Sequence, residues 1–323
     1  MNKKVLIIAD EPNWAQDKNA KDIIKYNCSN IKFDLTYIDD FIKNWKNLIQ
    51  EYDLIHTMYM GIFFSLLKNN IPIEKVTTGI KSYHRWDFKK ESIPPGYNVN
   101  PPKKIVKLLK QAVLVNTHCW KLWYNFVPYF PIVHTKYTCN FTYFYPEKKT
   151  KNNKLVIGWS GSLKNHANKR GFYDLIKPAC DSFPEVVLKI QSKEENPITD
   201  DNLMRFFYNS LDVYICASRS EGTPRPVIEA AACGIPILST DVGLVPDLVD
   251  DGISGRIVER NLESLKKGIK FFVDKRDRIP QMGAHIRRKM EIEYDWHKLV
   301  IQWTDFFEYA IKLVELKKNK IIK

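Results

Sequence analysis

Apolar runs alternate with stretches of helical spacing over the first half of the chain. The runs that predict strands are residues 5–9, 31–38, 53–58, 75–80 and 112–117. Residues 19–27 and 60–67 lie between them and have the spacing of helices. Because strands that alternate with helices form parallel sheets covered on both faces, this half predicts an α/β unit whose ligands bind at the carboxyl ends of the strands.

The second half repeats this alternation after an interruption. Residues 128–154, with prolines, aromatic residues and a charged run, predict an irregular connection. Beyond it, the predicted strands are residues 155–162, 186–192, 212–218 and 235–240, and the predicted helices are residues 171–180, 202–210 and 226–233. The pattern therefore predicts a second α/β unit. Residues 296–318 predict a long amphipathic helix after it.

The composition is that of a globular protein with two domains. The chain has 323 residues, of which 44% are hydrophobic and 27% charged. Its longest apolar patch, residues 58–67, has about half the length that spans a bilayer. The apolar run near the N-terminus is too short for a signal peptide, so we expect a cytoplasmic protein. Six scattered cysteines without a Cys-x-x-Cys pair argue against a zinc site and against a disulfide framework.

The chain is basic, with a formal net charge of +13. Such a charge fits a lysine-rich solvated surface, and it fits equally an attraction to anions such as a nucleotide, a lipid diphosphate or an anionic membrane face. No nucleic-acid-binding motif is present in the sequence, so we expect no nucleic-acid partner.

The stretch EGTPRPVIEAAACGIPILST, residues 221–240, places two carboxylates after a predicted strand. Glu221 lies in a loop with glycine and proline, and Glu229 lies in a helix predicted to begin at Pro226 and to stop at Gly234. A strand, a loop and a helix N-terminus point backbone N–H groups and the positive end of the helix at one place, which suits a phosphate. Two carboxylates beside such a place suit the hydroxyls of a ribose and of a sugar.

This stretch resembles the signature of the GT-B, family-4-type retaining glycosyltransferases, which carry two glutamates separated by seven residues. The similarity continues through VPDLVDDGISGRIV, residues 245–258, and thins upstream, where TCNFTYFYP, residues 138–146, looks like a degenerate interdomain motif. The resemblance implies an α/β fold of two Rossmann-like domains that face each other across a cleft, with the C-terminal helix returning to the N-terminal domain. The boundaries we expect are residues 1–145 plus about 300–323 for the acceptor domain, and residues 146–299 for the donor domain.

The resemblance implies a nucleotide-diphosphate-sugar donor, bound mainly by the second domain. By position, Glu229 would bind the donor ribose, and Glu221 would hold the transferred sugar as a catalytic residue. The amides around Gly222 and Thr223 would face the sugar and the diphosphate. Arg225 either touches the sugar or phosphate or is solvated.

The family also uses an arginine and a lysine, after the first strand of the second domain, to stabilise the diphosphate as it leaves. Here Ser162 stands near the place of the arginine, and the available cations are Lys164, Lys169 and Arg170. Lys164 and Arg170 have the family's six-residue spacing with the residue types exchanged, so which pair acts stays open.

In the first half, the loop after the first predicted strand lacks the glycines that family members often carry. Trp14 and Asp17 in this region suit a sugar-like acceptor, because they offer a ring to stack on and a carboxylate for hydroxyls.

A histidine often follows a later strand in the family, close to the anomeric centre of the donor. His84 is our candidate for this catalytic position, although Lys81 falls nearer the family position, and we assign Lys81 to the acceptor. Asn116 and His118, at the end of the next strand, offer the same chemistry.

The sequence has no Asp-x-Asp motif after a strand, so we expect no metal and no other cofactor. The resemblance implies transfer with retention, from a nucleotide sugar to a glycan, a lipid-linked or another acceptor in surface polysaccharide or glycoconjugate synthesis. Peripheral contact with an anionic membrane is compatible with the charge. Two alternatives stay open: a sugar-nucleotide epimerase or phosphorylase on the same fold, and an inactive basic protein that docks to a membrane or to nucleic acid.

Overall fold

The chain forms two compact units. The computed structural model describes residues 2–82, 100–148, 153–164, 167–195 and 197–319. Unit 1 comprises the described parts of Met1–Lys81, Gly96–Tyr137 and Trp296–Lys323, and unit 2 comprises the described parts of Ser82–Pro95 and Thr138–Asp295.

Unit 1 alternates strands and helices. Its strands are β1 (Lys4–Ala9), β2 (Lys32–Tyr37), β3 (Leu54–Thr57), β4 (Val76–Ile80), β5 (Val115–Thr117) and β6 (Ile132–His134). Its helices are α1 (Ala15–Tyr26), α2 (Ile38–Glu51), α3 (Met60–Lys68), α4 (Lys103–Leu109) and α5 (Trp120–Phe126), and a long C-terminal helix, Trp296–Lys318, completes the unit. The six strands are parallel in the order β2-β1-β3-β4-β5-β6, so their carboxyl ends share one edge of the sheet.

The C-terminal helix is part of the core of unit 1. Trp303 is fully buried, and its indole Nε1 donates a hydrogen bond of 3.0 Å to the Lys136 carbonyl. The ring of His56 on β3 meets Trp303, Phe306 and Phe307 edge to face. Large aromatic side chains at helical spacing therefore bury this helix against the sheet.

Unit 2 has the same architecture. Its strands are β7 (Leu155–Gly161), β8 (Val186–Ser192), β9 (Val213–Cys216), β10 (Ile237–Thr240) and β11 (Gly255–Val258). A π-helical turn (Phe172–Ile176) runs into α6 (Lys177–Asp181), and the later helices are α7 (Asp201–Asn209), α8 (Arg225–Ala232), α9 (Val245–Leu248), α10 (Leu262–Asp274) and α11 (Ile279–Glu293), with a 3₁₀ turn (Arg276–Arg278) before the last. The C-terminal helix of unit 1 is numbered α12.

The sheet of unit 2 is parallel, with the order β11-β10-β9-β7-β8. The chain starts at β7, moves outward to β8, and then returns to the other side of β7 to build β9, β10 and β11. The order therefore reverses between β7 and β9. Open α/β sheets bind ligands outside the carboxyl ends of the strands at such a point.

The predicted fold class is confirmed, because both halves are parallel-sheet α/β units of Rossmann type. One element was predicted wrongly. Residues 128–154 contain β6, which pairs parallel with β5 through Val115 and Ile132, and not only an irregular connection. Three residues that begin after Pro131 are too few to show an alternating pattern. In the described part of the chain, no helix is both long and apolar enough to cross a membrane.

Candidate functional site

The loop after β9 places two glutamates at the carboxyl end of the sheet of unit 2. β9 ends at Cys216, residues 217–224 form the loop, and α8 begins at Arg225. Pro226 fits the first helical turn because its missing N–H has no partner to lose there. Gly234 has a φ of +70° and ends the helix, as predicted. Glu221 in the loop and Glu229 in the helix therefore lie where the strand order reverses.

Glu229 is buried and held from two sides. Only 6% of the residue is exposed. Its Oε1 accepts a hydrogen bond of 2.6 Å from Arg225 Nε, one helical turn earlier, and its Oε2 accepts one of 2.8 Å from the Tyr208 hydroxyl. Burial raises the pKa of Tyr208 well above its usual value, and the charge of Glu229 adds to this shift, so the hydroxyl keeps its proton and donates. The Arg225 guanidinium therefore forms an ion pair with Glu229 and is not simply solvated.

Tyr208 also connects Glu229 to β7. The ring of Tyr208 meets the ring of Tyr214 at 5.8 Å, and the Tyr214 hydroxyl lies 3.0 Å from the Ser160 hydroxyl on β7. A chain of two hydrogen bonds and one aromatic contact thus runs from α8 through α7 and β9 to the strand at the reversal point. Such a chain fixes the rotamer of the carboxylate.

The loop that carries Glu221 is locked against the loop after β10. Glu221 accepts a hydrogen bond of 2.9 Å from the Ser218 hydroxyl. The Gly222 carbonyl accepts one of 2.8 Å from the Leu244 amide. Gly243 has a φ of +52°, and a Cβ added there would lie 1.9 Å from the Gly222 carbonyl oxygen. Glycine is therefore required at 243 both by conformation and by the close approach of the two loops.

Three polar atoms of this loop are buried without a hydrogen-bond partner in the described part of the chain. They are Arg219 Nε, Ser220 Oγ and Thr223 Oγ1. Buried polar atoms in proteins are nearly always hydrogen-bonded, and such groups cluster where a ligand completes the set. The loop from Arg219 to Thr223 therefore offers donors and acceptors that a bound molecule would satisfy.

The loop after β7 binds a carboxylate of its own chain. Glu194, which follows β8, accepts hydrogen bonds from the Ser162 hydroxyl, from the Leu163 amide at 2.8 Å and from the Lys164 amide at 3.4 Å. The Ser162 hydroxyl and the Leu163 amide hold the pKa of Glu194 below its usual value. Consecutive amides with a hydroxyl form a concavity that suits an anion, and here the anion is a side chain.

Of the three predicted cations after β7, only Arg170 reaches the strand end. A Cβ added at Gly161, the last residue of β7, would lie 2.5 Å from Arg170 Nη1, so the glycine leaves room for the guanidinium. Lys164 and Lys169 are exposed. The Lys169 carbonyl accepts a hydrogen bond of 2.8 Å from the Arg219 amide, which ties the loop after β7 to the loop after β9.

Arg260 strengthens the same connection. Its Nε donates a hydrogen bond of 3.0 Å to the Ala217 carbonyl, and its Nη2 donates one of 3.2 Å to the Asn168 carbonyl. Arg170, Arg219 and Arg260 thus surround the carboxyl ends of β7 and β9. This concentration of guanidinium groups favours an anionic ligand.

In unit 1, the two predicted acceptor residues of the first loop differ in accessibility. Trp14 is 49% exposed at the start of α1. Asp17 is fully buried and accepts hydrogen bonds from the Asn13 amide at 2.7 Å, from Lys21 at 2.7 Å and from the Tyr37 hydroxyl at 2.9 Å. Asp17 was predicted to bind acceptor hydroxyls, but its carboxylate is fully buried and has no oxygen exposed at the surface. The carboxylate organises the turn before α1 instead.

Lys81 lies at the carboxyl end of β4 beside Tyr137. Its ammonium donates to the Tyr137 hydroxyl and lies 3.8 Å from the centre of that ring. Burial lowers the pKa of Lys81 well below its usual value, while the charge of Asp10 after β1 raises it. Asp10 Oδ1 is itself buried without a partner among the described residues. His84, the predicted catalytic histidine, lies outside the described residues.

His118, after β5, also contacts Tyr137, with 4.0 Å between the ring centres. Its Nδ1 is 2.7 Å from the Thr135 carbonyl and donates to it, so Nε2 is left as an acceptor, and that atom is buried without a partner in the described ranges. Burial lowers the pKa of His118 well below its usual value, and the charge of Lys81 adds to this. Asp10, Lys81 and His118 therefore form a polar cluster at one edge of the sheet.

Residues 197–289 match the glycosyl transferases group 1 family. This group 1 segment contains Glu221, Glu229 and the loop between them. An uncharacterized glycosyltransferase of Haemophilus influenzae is 32% identical over 110 residues, which cover 33% of this chain and 31% of that protein. The chain spans about a third or less of the length of the first curated relatives it matches.

Solved structures share the fold over nearly the whole chain. The sucrose-phosphate synthase of Thermosynechococcus elongatus matches with a TM-score of 0.77 at 12% identity, over 96% of this chain and 99% of that chain. Anabaena HepE, in complex with UDP-glucose, matches with a TM-score of 0.67 at 12% identity, over 95% and 99%. At this identity the likeness shows the fold, which is the GT-B type.

Several residues of the site were not found from the sequence. Tyr208, Arg219, Glu194 and Arg260 stand outside or between the motifs, and each reaches the site through a contact between distant segments. Of these four residues, only Arg219 could have been identified from the sequence, because it lies in the loop two residues before Glu221.

Proposed function

We propose that this protein is a glycosyltransferase that moves a sugar from a nucleotide-diphosphate sugar to a glycan, lipid-linked or other acceptor in surface polysaccharide or glycoconjugate synthesis. The observation that carries the proposal is the placement of Glu221 and Glu229 at the carboxyl end of β9, where the strand order reverses, beside a loop with unpartnered buried polar atoms. The group 1 segment covers this part of the chain and supports the same conclusion.

In this proposal, Glu229 binds the ribose of the donor and Glu221 holds the transferred sugar. Glu229 accepts hydrogen bonds from Arg225 and Tyr208 in the structure. A ribose hydroxyl that donates to this carboxylate would therefore replace one of these donors or bind beside it. Glu221 is only partly buried and accepts a hydrogen bond from the Ser218 hydroxyl, so it is held less tightly than Glu229, which suits the more distal part of the donor. The amides near Gly222 and Thr223 would face the sugar and the diphosphate.

The leaving diphosphate would be stabilised by arginines rather than by a metal. Arg170, beside the last residue of β7, is the best placed of the predicted cations, and Arg219 lies in the loop after β9. Fixed guanidinium groups aimed at a departing phosphate lower the barrier because they need no reorganisation. We propose a metal-independent reaction with retention of configuration, which agrees with the two-glutamate motif.

In unit 1, the exposed Trp14 and the cluster around Lys81 are the proposed acceptor groups. Lys81 and the Tyr137 hydroxyl beside it offer hydrogen-bonding groups that suit the hydroxyls of an acceptor. The protein would act in the cytoplasm.

A donor panel tests this proposal. Thermal shift is measured with UDP-, GDP-, ADP- and dTDP-sugars and with the matching free nucleotides, with UDP-glucose first because HepE binds it. A ligand at one hundred times its Kd stabilises the folded state by about 2.7 kcal/mol. We expect one nucleotide class to raise the Tm, and its sugar form to raise it further.

Two variants separate the two glutamates. Glu229→Gln should lose most of the response to the free nucleotide, whereas Glu221→Gln should keep this response and lose the increment from the sugar. Glu263→Gln, on an exposed glutamate at the start of α10, is the matched control and should respond as the wild type does. If no nucleotide sugar shifts the wild-type Tm, the proposal fails.

A further inference from the structure

One long segment of the chain is free of acidic residues. From Ser92 to Pro146 there is no Asp or Glu, although the whole chain has 37 among 323 residues. The same segment has lysine at positions 103, 104, 107, 110, 121 and 136, and it has no arginine. Local charge in this segment is therefore entirely positive.

The described part of this segment builds one side of unit 1. β4, β5 and β6 follow one another across the sheet in chain order, and β6 is the edge strand. Because crossovers between parallel strands are right-handed, α4 and α5 lie on the same face of the sheet, next to each other. The hydroxyl of Tyr129, after α5, donates a hydrogen bond of 3.3 Å to Asn100 Oδ1, before α4, which joins the two connections at the surface.

α4 has a charged side and a buried side. Lys103, Lys107 and Lys110 recur at a spacing of four and three residues and are exposed, whereas Ile105 and Leu109 are buried. A groove of about 620 Å³ runs along the exposed side. Its lining includes Pro102, Val106 and Tyr129, together with the three lysines. The groove thus has an apolar floor and a cationic rim, and none of the described residues that line it is acidic.

Exposed aromatic residues continue this surface onto α5. Trp120, Tyr124 and Tyr129 are between 37% and 50% exposed. The ring of Trp120 stacks on that of His134 with 4.0 Å between centres, which holds the indole at the surface. Trp and Tyr favour the boundary between water and lipid, because one end of each ring system is apolar and the other is polar.

We propose that this surface docks on the face of an anionic lipid bilayer. The α4–α5 face is defined by Lys103, Lys104, Lys107, Lys110, Trp120, Tyr124 and Tyr129. Lysines set around an apolar groove attract lipid headgroups through diffuse charge, and the aromatic rings enter the headgroup region. This segment has no arginine, whose planar fork gives bidentate contacts to phosphates and guanine, so the lysine-only charge favours lipid headgroups over nucleic acid.

The attraction between the lysines and anionic lipids sets the expected strength of membrane binding. Each lysine near an anionic surface strengthens partitioning roughly fivefold, so four of them contribute on the order of several hundredfold at low salt. This contribution is screened as the ionic strength rises. The inference deepens the proposed function, because a lipid-linked acceptor would be met at such a surface, but docking itself requires no donor.

Vesicle flotation tests the proposal with the full chain and without any nucleotide sugar. Vesicles of phosphatidylcholine alone and of phosphatidylcholine with a quarter phosphatidylglycerol are used at about 50 mM and 300 mM NaCl. We expect binding to the anionic vesicles at low salt, loss of most of it at high salt, and little binding to phosphatidylcholine alone.

Two charge-matched variants locate the surface. Lys103→Gln/Lys104→Gln/Lys107→Gln/Lys110→Gln should reduce partitioning at low salt on the order of several hundredfold, at roughly fivefold per lysine. Lys43→Gln/Lys46→Gln/Lys267→Gln/Lys270→Gln removes the same charge from exposed lysines elsewhere and should retain most of the binding. Trp120→Ala/Tyr124→Ala should weaken binding at both salt concentrations, since the aromatic contribution is not screened.

The proposal is overturned if the wild type does not float with anionic vesicles at low salt, or if the two lysine variants lose binding equally. It is also overturned if the α4 variant loses the binding of a 30-nucleotide RNA while vesicle binding is unchanged. Failure of the lipid-docking proposal is distinguished from failure of the proposed transferase by thermal shift with the donor panel, run on the α4 variant without vesicles. We expect that shift to equal the wild-type shift.

Discussion

Replacement of Arg225 by methionine tests how the Arg225–Glu229 pair contributes to unit 2. The change removes the guanidinium whose Nε lies 2.6 Å from Glu229 Oε1, and it keeps much of the aliphatic side chain. Glu229 retains the Tyr208 hydroxyl at 2.8 Å but loses its cation. We expect a large loss of stability because the carboxylate stays shielded from water.

Burial decides the magnitude. An exposed pair four residues apart on a helix contributes about 0.3–0.5 kcal/mol, whereas removal of one partner from a buried pair costs about 3–5 kcal/mol. The side chains of Arg225 and Glu229 are 14% and 7% exposed, so we expect the lower end of the buried range, about 3 kcal/mol. For a unit of roughly 150–250 residues, this lowers the Tm by about 6–12 °C.

Scanning calorimetry of four proteins measures the effect as a double-mutant cycle. The proteins are the wild type, Arg225→Met, Glu229→Gln and the double variant. A glutamine at 229 can accept from Arg225 and donate to the Tyr208 oxygen, and in the double variant no unpaired charge remains. We therefore expect the double variant to be more stable than Arg225→Met, with a coupling of about 1–3 kcal/mol.

Two results would refute this reasoning. A Tm loss below roughly 2 °C in Arg225→Met would mean that the pair behaves as a surface pair. Equal losses in Arg225→Met and in the double variant would mean that packing of the arginine stem, and not an unpaired carboxylate, causes the loss.

Three further predictions concern other parts of the chain. Gly243→Ala should destabilise unit 2 by more than about 3 kcal/mol in urea unfolding, since its Cβ would lie 1.9 Å from the Gly222 carbonyl; Gly252→Ala, at a φ of +79° with its nearest atom 3.8 Å away, should cost only about 1–2 kcal/mol, and equal losses would contradict the clash. Glu194→Gln should strengthen pyrophosphate binding severalfold in calorimetric titration, because it removes a carboxylate that occupies the Leu163 amide and repels an anion at that place, and weaker binding would contradict a competing carboxylate. Burial lowers the pKa of His134 to about 4, so its contribution to stability is present above pH 6.5 and is lost as the pH falls; because His56 and His118, whose pKa values are also lowered by burial, lose stability over the same range, the loss from pH 7 to pH 5 in urea unfolding should be smaller by about 2 kcal/mol in His134→Gln than in the wild type, and an unchanged pH dependence in that variant would contradict it.

Local periodicity located most of the fold. The C-terminal helix has the predicted bounds, Trp296–Lys318, because its buried apolar positions recur from Trp296 to Val314, over about five turns. Short elements gave less pattern to read. β6 has three residues, and α4 and α5 have seven each, so none of them shows more than two helical turns or two alternations.

The residue types of the site followed from the sequence, but their partners did not. Glu229 was predicted from its motif, while Tyr208 is 21 residues away on another helix. Ser162 was predicted from its place after a strand, while Glu194 is 32 residues away. Such pairs depend on the order of strands in the sheet, which spacing along the chain does not encode.

These partners change how ligand binding has to be understood. The Glu229 carboxylate and the amides after β7 already hold internal partners, and Asp17 in unit 1 does so as well. A donor that uses Glu229 or the loop after β7 must therefore exchange one set of hydrogen bonds for another, so its net affinity is smaller than the contacts alone suggest. Arg219 Nε, Ser220 Oγ and Thr223 Oγ1 have no hydrogen-bond partner among the described residues. A ligand at these atoms would gain hydrogen bonds without breaking others of the described chain. The free energy of donor binding should therefore depend most on the loop between β9 and α8.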